Sequence, residues 1–141
     1  MDETRQQLVR SWLTKATGDL VSARVLAGDP EGPLDSAIYH CQQGAEKAVK
    51  AFLVFHGAAP ERTHDIRKLA VEASAFEKRF DVLIPQAAVL TPYAWEFRYP
   101  DDLADTEPTR EEFNEALKQA HEIFSFVLSV LPAEVQPHLK K

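Results

Sequence analysis

The sequence predicts an all-α fold, an up-and-down helical bundle of four long helices plus a shorter helix. Three observations predict it. Apolar residues recur at spacings of three and four over long stretches, strand-like alternation is scarce, and the 141 residues include only 5 Gly. With 45% apolar and 27% charged residues, the composition is that of an ordinary globular domain able to bury one core. A single helical domain over residues 1–131, followed by a polar C-terminal tail over 132–141, accounts for the chain.

The first helix is expected from about Glu3 to Ala27, with Leu8, Trp12, Ala16, Leu20, Ala23 and Leu26 as its stripe. Gly18 inside it costs about 1 kcal/mol relative to Ala. The breaker cluster Gly28–Pro33 is a turn, and so short a connection makes the first two helices antiparallel neighbours. Pro33 or Leu34 opens the second helix, and Gly57 closes it in the left-handed position after its last turn. Its apolar stripe is Leu34, Ile38, Cys41, Ala45, Ala48, Val49 and Phe52.

Thr63 or Asp65 caps a third helix carrying Ile66, Leu69, Ala70, Ala73 and Phe76. The pattern blurs from Lys78 to Leu83. Pro85 then begins a fourth helix with Ala88, Val89, Tyr93 and Phe97, kinked or split at Pro92. Tyr99-Pro100 ends it, and an acidic loop runs to Pro108. Thr109 and Glu112 form a capping box for the last helix, whose stripe is Phe113, Leu117, Ala120, Phe124, Val127 and Leu131. Pro132 stops it, leaving a loosely attached tail.

Sixteen Lys and Arg against 22 Asp and Glu give a net charge of −6, which disfavours nonspecific binding to nucleic acid. No apolar run reaches the roughly 18 residues of a membrane span, and the polar N-terminus has no signal-peptide core. A cytoplasmic chain without a membrane partner is expected. The lone Cys41 sits on the apolar stripe as a small hydrophobe. With one cysteine, no His-x-x-x-His pair, no Gly-rich phosphate loop and no Gly-x-Ser-x-Gly elbow, no metal site or cofactor is expected.

The second helix also carries a polar row, Tyr39, Gln43, Glu46 and Lys50, at spacings of four, three and four. At about 100° per residue the row falls opposite the apolar stripe. Three readings stay open for it. It is a solvated face with a Glu46–Lys50 pair worth about 0.2–0.5 kcal/mol, or an interface anchored by Tyr39. Otherwise it is an anion or nucleotide pocket, with Lys50 on phosphate and Tyr39 stacking on a base. His64 is either part of a helix cap or a group beside anion-binding N–H groups. Arg98 either packs on Tyr99 or pairs with Asp101 or Asp102, or else reaches a phosphate or a partner protein.

Several strings taken together resemble the HEPN domain family. They are Trp12…Ala16…Asp19-Leu20…Ala23, then Tyr39-His40-Cys41-Gln42-Gln43-Gly44-Ala45-Glu46-Lys47-Ala48-Val49-Lys50. Thr63-His64-Asp65-Ile66…Leu69 and Arg98-Tyr99-Pro100-Asp101 complete the match. The resemblance spans roughly Trp12 to Leu131. It implies an all-α homodimer, often associated with a separate minimal nucleotidyltransferase chain and with a proposed nucleotide-binding role. Some members are ribonuclease toxins that carry an Arg followed, after four to six intervening residues, by a His. The windows five to seven positions before His40, His56, His64, His121 and His138 contain no Arg. The expectation is therefore a noncatalytic, toxin–antitoxin-like module that pairs with itself and with a nucleotidyltransferase, with a nucleotide contact. The alternative is a HEPN-type ribonuclease or nucleotide-processing enzyme with a divergent site built on Glu46, Lys50, His64 and Arg98.

Overall fold

The computed structural model describes residues 2–97 and 107–137. Five α-helices form an all-α bundle: α1 (Glu3–Gly28), α2 (Leu34–Phe55), α3 (Ile66–Ser74), α4 (Ile84–Leu90) and α5 (Arg110–Ser129). The three long helices, of 26, 22 and 20 residues, make the body of the bundle, and α3 and α4 are short. Their starts follow from local chemistry. Asp2, Asp65 and Thr109 each accept a backbone N–H three residues on, capping α1, α3 and α5. Glu112 returns a bond to the Thr109 N–H, completing the capping box. Gly57 takes φ 82° where α2 stops.

The chain splits at Pro92 as its fixed ring demands. α4 gives way to a 3-10 turn over Thr91–Ala94, and another 3-10 turn, Lys78–Leu83, occupies the stretch where periodicity blurred. The α4 stripe is out of register, and the α1 stripe holds at Ala16, Leu20 and Ala23 but not at its start. In α4 the inward residues are Ala87 and Leu90, whereas Val89 is 45% exposed. In α1 the buried set begins at Val9 and Leu13, and Leu8 stands 49% exposed. Phe76 lies beyond α3 and is exposed. The start of the C-terminal tail is not loose. Val135 is buried in the core, the Arg10 guanidinium donates to the Glu134 carbonyl at 2.7 Å, and Gln136 donates to the Leu128 carbonyl at 2.9 Å.

α2 lies at the centre, against α1, α5, α3 and the turn after α4. Gly44 permits its closest approach to α1: a Cβ there would stand 2.9 Å from Leu20 Cδ2 and 3.3 Å from the Ala16 carbonyl oxygen. At its far end the core is aromatic. Phe52 packs on Phe80 at 4.6 Å between ring centres, and Phe80 meets Phe126 edge-on at 4.9 Å. From Cys41 to Val54 every residue except Lys47 is buried. That overturns the solvated-face reading of Gln43, Glu46 and Lys50, which are 7%, 2% and 7% exposed. Over this stretch only Lys47 keeps part of its side chain in water.

Candidate functional site

Glu46 is the hub of a buried polar network. Its Oε1 accepts from Gln42 Nε2 at 3.0 Å and lies 2.8 Å from His64 Nδ1. Its Oε2 accepts from Lys50 Nζ at 3.1 Å. Gln42 Nε2 also donates to the His64 carbonyl at 3.0 Å, and Gln42 Oε1 accepts from Gln43 Nε2 at 2.6 Å. A buried carboxylate and ammonium are tolerated only when paired and hydrogen-bonded, and here both conditions hold. The network reaches from the middle of α2 to the residue before the α3 cap, fixing where the α2–α3 connection returns to the bundle.

Of the residues singled out in the sequence, Gln43, Glu46, Lys50 and His64 come together in this network. Tyr39 is half-buried two turns earlier on α2, its ring edge-on to His40 at 6.0 Å. Arg98 and Tyr99 lie outside the described residues. The α3 N-terminus is occupied by its own side chain: Asp65 accepts from the Lys68 N–H, and Thr63 Oγ1 from the Asp65 N–H. Gln42 was missed, and its signal was available. α2 carries charge only at Asp35, Glu46, Lys47 and Lys50, and a helix so apolar all round is a buried one whose polar groups must find one another.

A second carboxylate, Asp19 of α1, joins two residues of α2. Its Oδ1 lies 2.9 Å from His40 Nδ1 and its Oδ2 accepts from Lys47 Nζ at 2.7 Å. His40 and Lys47 are seven residues apart on one face, with Gly44 between them at the close helix approach. Each cluster thus holds a carboxylate against Nδ1 of an imidazole, an arrangement that fixes the ring and leaves Nε2 as its other polar atom. The His64 side chain is 61% exposed and that of His40 is 32% exposed, so both rings reach water. Burial pushes the Cys41 thiol up to about 12, which removes it as a nucleophile.

Lys50 links the network to a cleft. Its ammonium lies 5.7 Å from the centre of the Trp12 ring, and both side chains line a cavity of about 630 Å³ between α1, α2 and the connection after Gly57.

The HEPN domain family model matches residues 9–130. "Putative toxin MJ1304" of Methanocaldococcus jannaschii is 30% identical over 133 residues, covering 85% of this chain and 86% of that one. The crystal structure of TT1696 from Thermus thermophilus superposes with a TM-score of 0.75 at 29% identity, over 87% of this chain and 98% of that one. The crystal structure of ST0689, an archaeal HEPN homologue, gives a TM-score of 0.67 at 30% identity, over 86% and 95%. Matched over most of its length by the family model, the chain belongs to the HEPN domain family.

Proposed function

We propose that this chain is a noncatalytic HEPN module of the cytosol. It pairs with a second copy of itself and with a minimal nucleotidyltransferase chain, in a toxin–antitoxin-like system, and contacts a nucleotide. The observation that carries this reading is the burial of Glu46. The polar row most suited to chemistry is bound up inside the bundle, with the carboxylate accepting from Gln42, Lys50 and His64 together. What the chain has left to offer is surface. The segment after α4 supports pairing: Trp95 is 53% exposed beside the stacked rings of Tyr93 and Phe97, and exposed aromatics of this kind anchor interfaces. The likeness to "Putative toxin MJ1304" is in keeping with the toxin–antitoxin setting.

Light scattering on the purified chain tests the pairing. A mass of twice 15.8 kDa at micromolar concentration is expected, falling toward one chain in Trp95→Ala. A monomer at that concentration contradicts it. Association with a nucleotidyltransferase is tested by co-expressing the chain with a small nucleotidyltransferase from a neighbouring reading frame and measuring the mass of the copurified species.

The Glu46–His64 and Asp19–His40 pairs favour a second reading. In it the chain is a ribonuclease or nucleotide-processing enzyme with a divergent site, using a carboxylate-oriented imidazole as general base. Incubation with labelled RNA separates the two readings.

A further inference from the structure

The cleft beside Lys50 carries apolar surface at the edge of the core, on α1 and on the connection after α2. Leu8 and Trp12 stand outside the buried set of α1, and with Val54 and Pro60 they form an apolar wall. Leu8 is 49% exposed and the Trp12 ring is partly so, and apolar surface of this kind is unfavourable in water, at about 25 cal/mol per Å², until something covers it. Three cations line the same space: Arg5, Lys50 and Arg62. The Arg5 guanidinium lies over Gly57, where a Cβ would stand 3.5 Å from each of its terminal nitrogens.

The acids at the rim already have partners. Asp2 accepts from the Arg5 N–H at 2.7 Å as the α1 cap, and Glu61 pairs with Lys68 at 2.6 Å. Lys50 is neutralised by Glu46. Among the described residues, the side chains of Arg5 and Arg62 form no ion pair or hydrogen bond. A chain of net charge −6 therefore presents two unpaired guanidinium groups beside an apolar wall. Guanidinium groups favour phosphate, which they can bind bidentately. The flat apolar wall favours a ring, and about 630 Å³ is ordinary for a small-molecule site.

We propose that this cleft binds a small aromatic phosphate, with its ring against Leu8, Trp12 and Pro60 and its phosphate oxygens on Arg5 and Arg62. Lys50 closes the floor, its charge already matched by Glu46. The site gives the nucleotide contact of the proposed function a place and a chemical class, and rests on that reading. Self-association does not depend on it, so the two fail separately.

The test is isothermal titration of the full chain with AMP, phenyl phosphate, adenosine and inorganic phosphate, with light scattering on the same samples. AMP or phenyl phosphate is expected to bind saturably, and adenosine and inorganic phosphate at least about tenfold more weakly, because each lacks half of the recognition. AMP binding alone identifies a nucleobase site; equal binding of AMP and phenyl phosphate identifies a general aromatic-phosphate site. Arg5→Ala/Arg62→Ala, both at exposed positions, is expected to weaken AMP and phenyl phosphate by about tenfold or more with an unchanged circular dichroism spectrum. The proposal is overturned if neither compound saturates at millimolar concentration, if inorganic phosphate or adenosine binds as well as they do, or if the double variant binds equally. A dimer mass in a sample that binds nothing sinks the cleft and leaves the pairing standing.

Discussion

His64 Nδ1 lies 2.8 Å from Glu46 Oε1, joining an imidazole that is 61% exposed to a carboxylate that is 3% exposed. This contact, with the Gln42 bond to the His64 carbonyl, holds the α2–α3 connection to the central helix. It makes Glu46 the residue whose loss the fold should feel most.

Glu46→Ala leaves the Lys50 ammonium buried without its counter-ion and Gln42 with one of its two acceptors gone. A loss of about 3–5 kcal/mol is expected, the range for breaking a buried pair from one side. Urea unfolding measures it. Glu46→Leu combined with Lys50→Met should recover part of that loss, because no unpaired charge remains. A single variant within 1 kcal/mol of the parent (about the uncertainty of such extrapolations) contradicts the structural role.

Gly44 reads out the α1–α2 approach. Gly44→Val must displace Leu20 and press on the Ala16 carbonyl, for an expected loss of about 1–3 kcal/mol. Gly44→Ala should come out near neutral. Its Cβ presses on Leu20 Cδ2 at 2.9 Å and the Ala16 carbonyl oxygen at 3.3 Å, and the gain of about 1 kcal/mol in helix propensity offsets that crowding. Equal stability of all three chains would place the helices further apart than described.

Much of this architecture was legible in the chain. Asp65, Thr109 with Glu112, Gly57 and Pro92 act locally, through side-chain bonds or fixed dihedrals, and the structure uses each as its chemistry requires. The resemblance strings also carried the family. Harder to see was that α2 is buried from Cys41 to Val54 except at Lys47. Periodicity ranks the faces of one helix but is blind to how many neighbours it has, so a polar row opposite the apolar stripe leaves a solvated face open among its readings. Leu8 and Val89 failed for a related reason: a one-residue rotation moves an apolar residue from core to rim, and only tertiary packing fixes that rotation. Of the candidate site, the sequence points to Gln43, Glu46, Lys50 and His64, and the sparse charge of α2 points to Gln42 as well; the pairing of Asp19 and the cleft exist only once separate segments meet.

Stability should fall as pH drops below neutrality. His56 lies at the surface but stacks on Phe76 at 4.9 Å and packs against Phe52, and the desolvation by these rings holds its pKa below the ordinary 6.5, outweighing the opposing pull of Glu77. His121 is lowered in the same way, by burial and then by Arg24. The unfolded chain therefore takes up these protons first. The contribution is intact above pH 6.5 and is lost as pH falls through 6.5 toward the folded values. Glu77, held at about 2 chiefly by hydrogen bonds from Arg79, loses its contribution only as pH falls from 4.5 through 2. Melting temperature measured from pH 8 to 5 should decline, with a shallower slope in His56→Gln/His121→Gln. An unchanged slope in that variant contradicts the assignment.

Cys41, buried with its thiol pushed up to about 12, should resist a thiol-specific chromogenic reagent in the native chain and react promptly in urea. Reaction in the native state at the rate of a free thiol would show that α2 opens far more readily than its packing implies.

The most direct measurement for the central claim is incubation of the purified chain with end-labelled RNA, alongside His64→Ala and His40→Ala variants confirmed as folded. The account predicts intact RNA in every lane, because Glu46 with its partners, and Asp19 with His40 and Lys47, hold helices together instead of moving protons. Cleavage by the parent chain that disappears in either folded variant would contradict it and make the carboxylate–imidazole pair an active site.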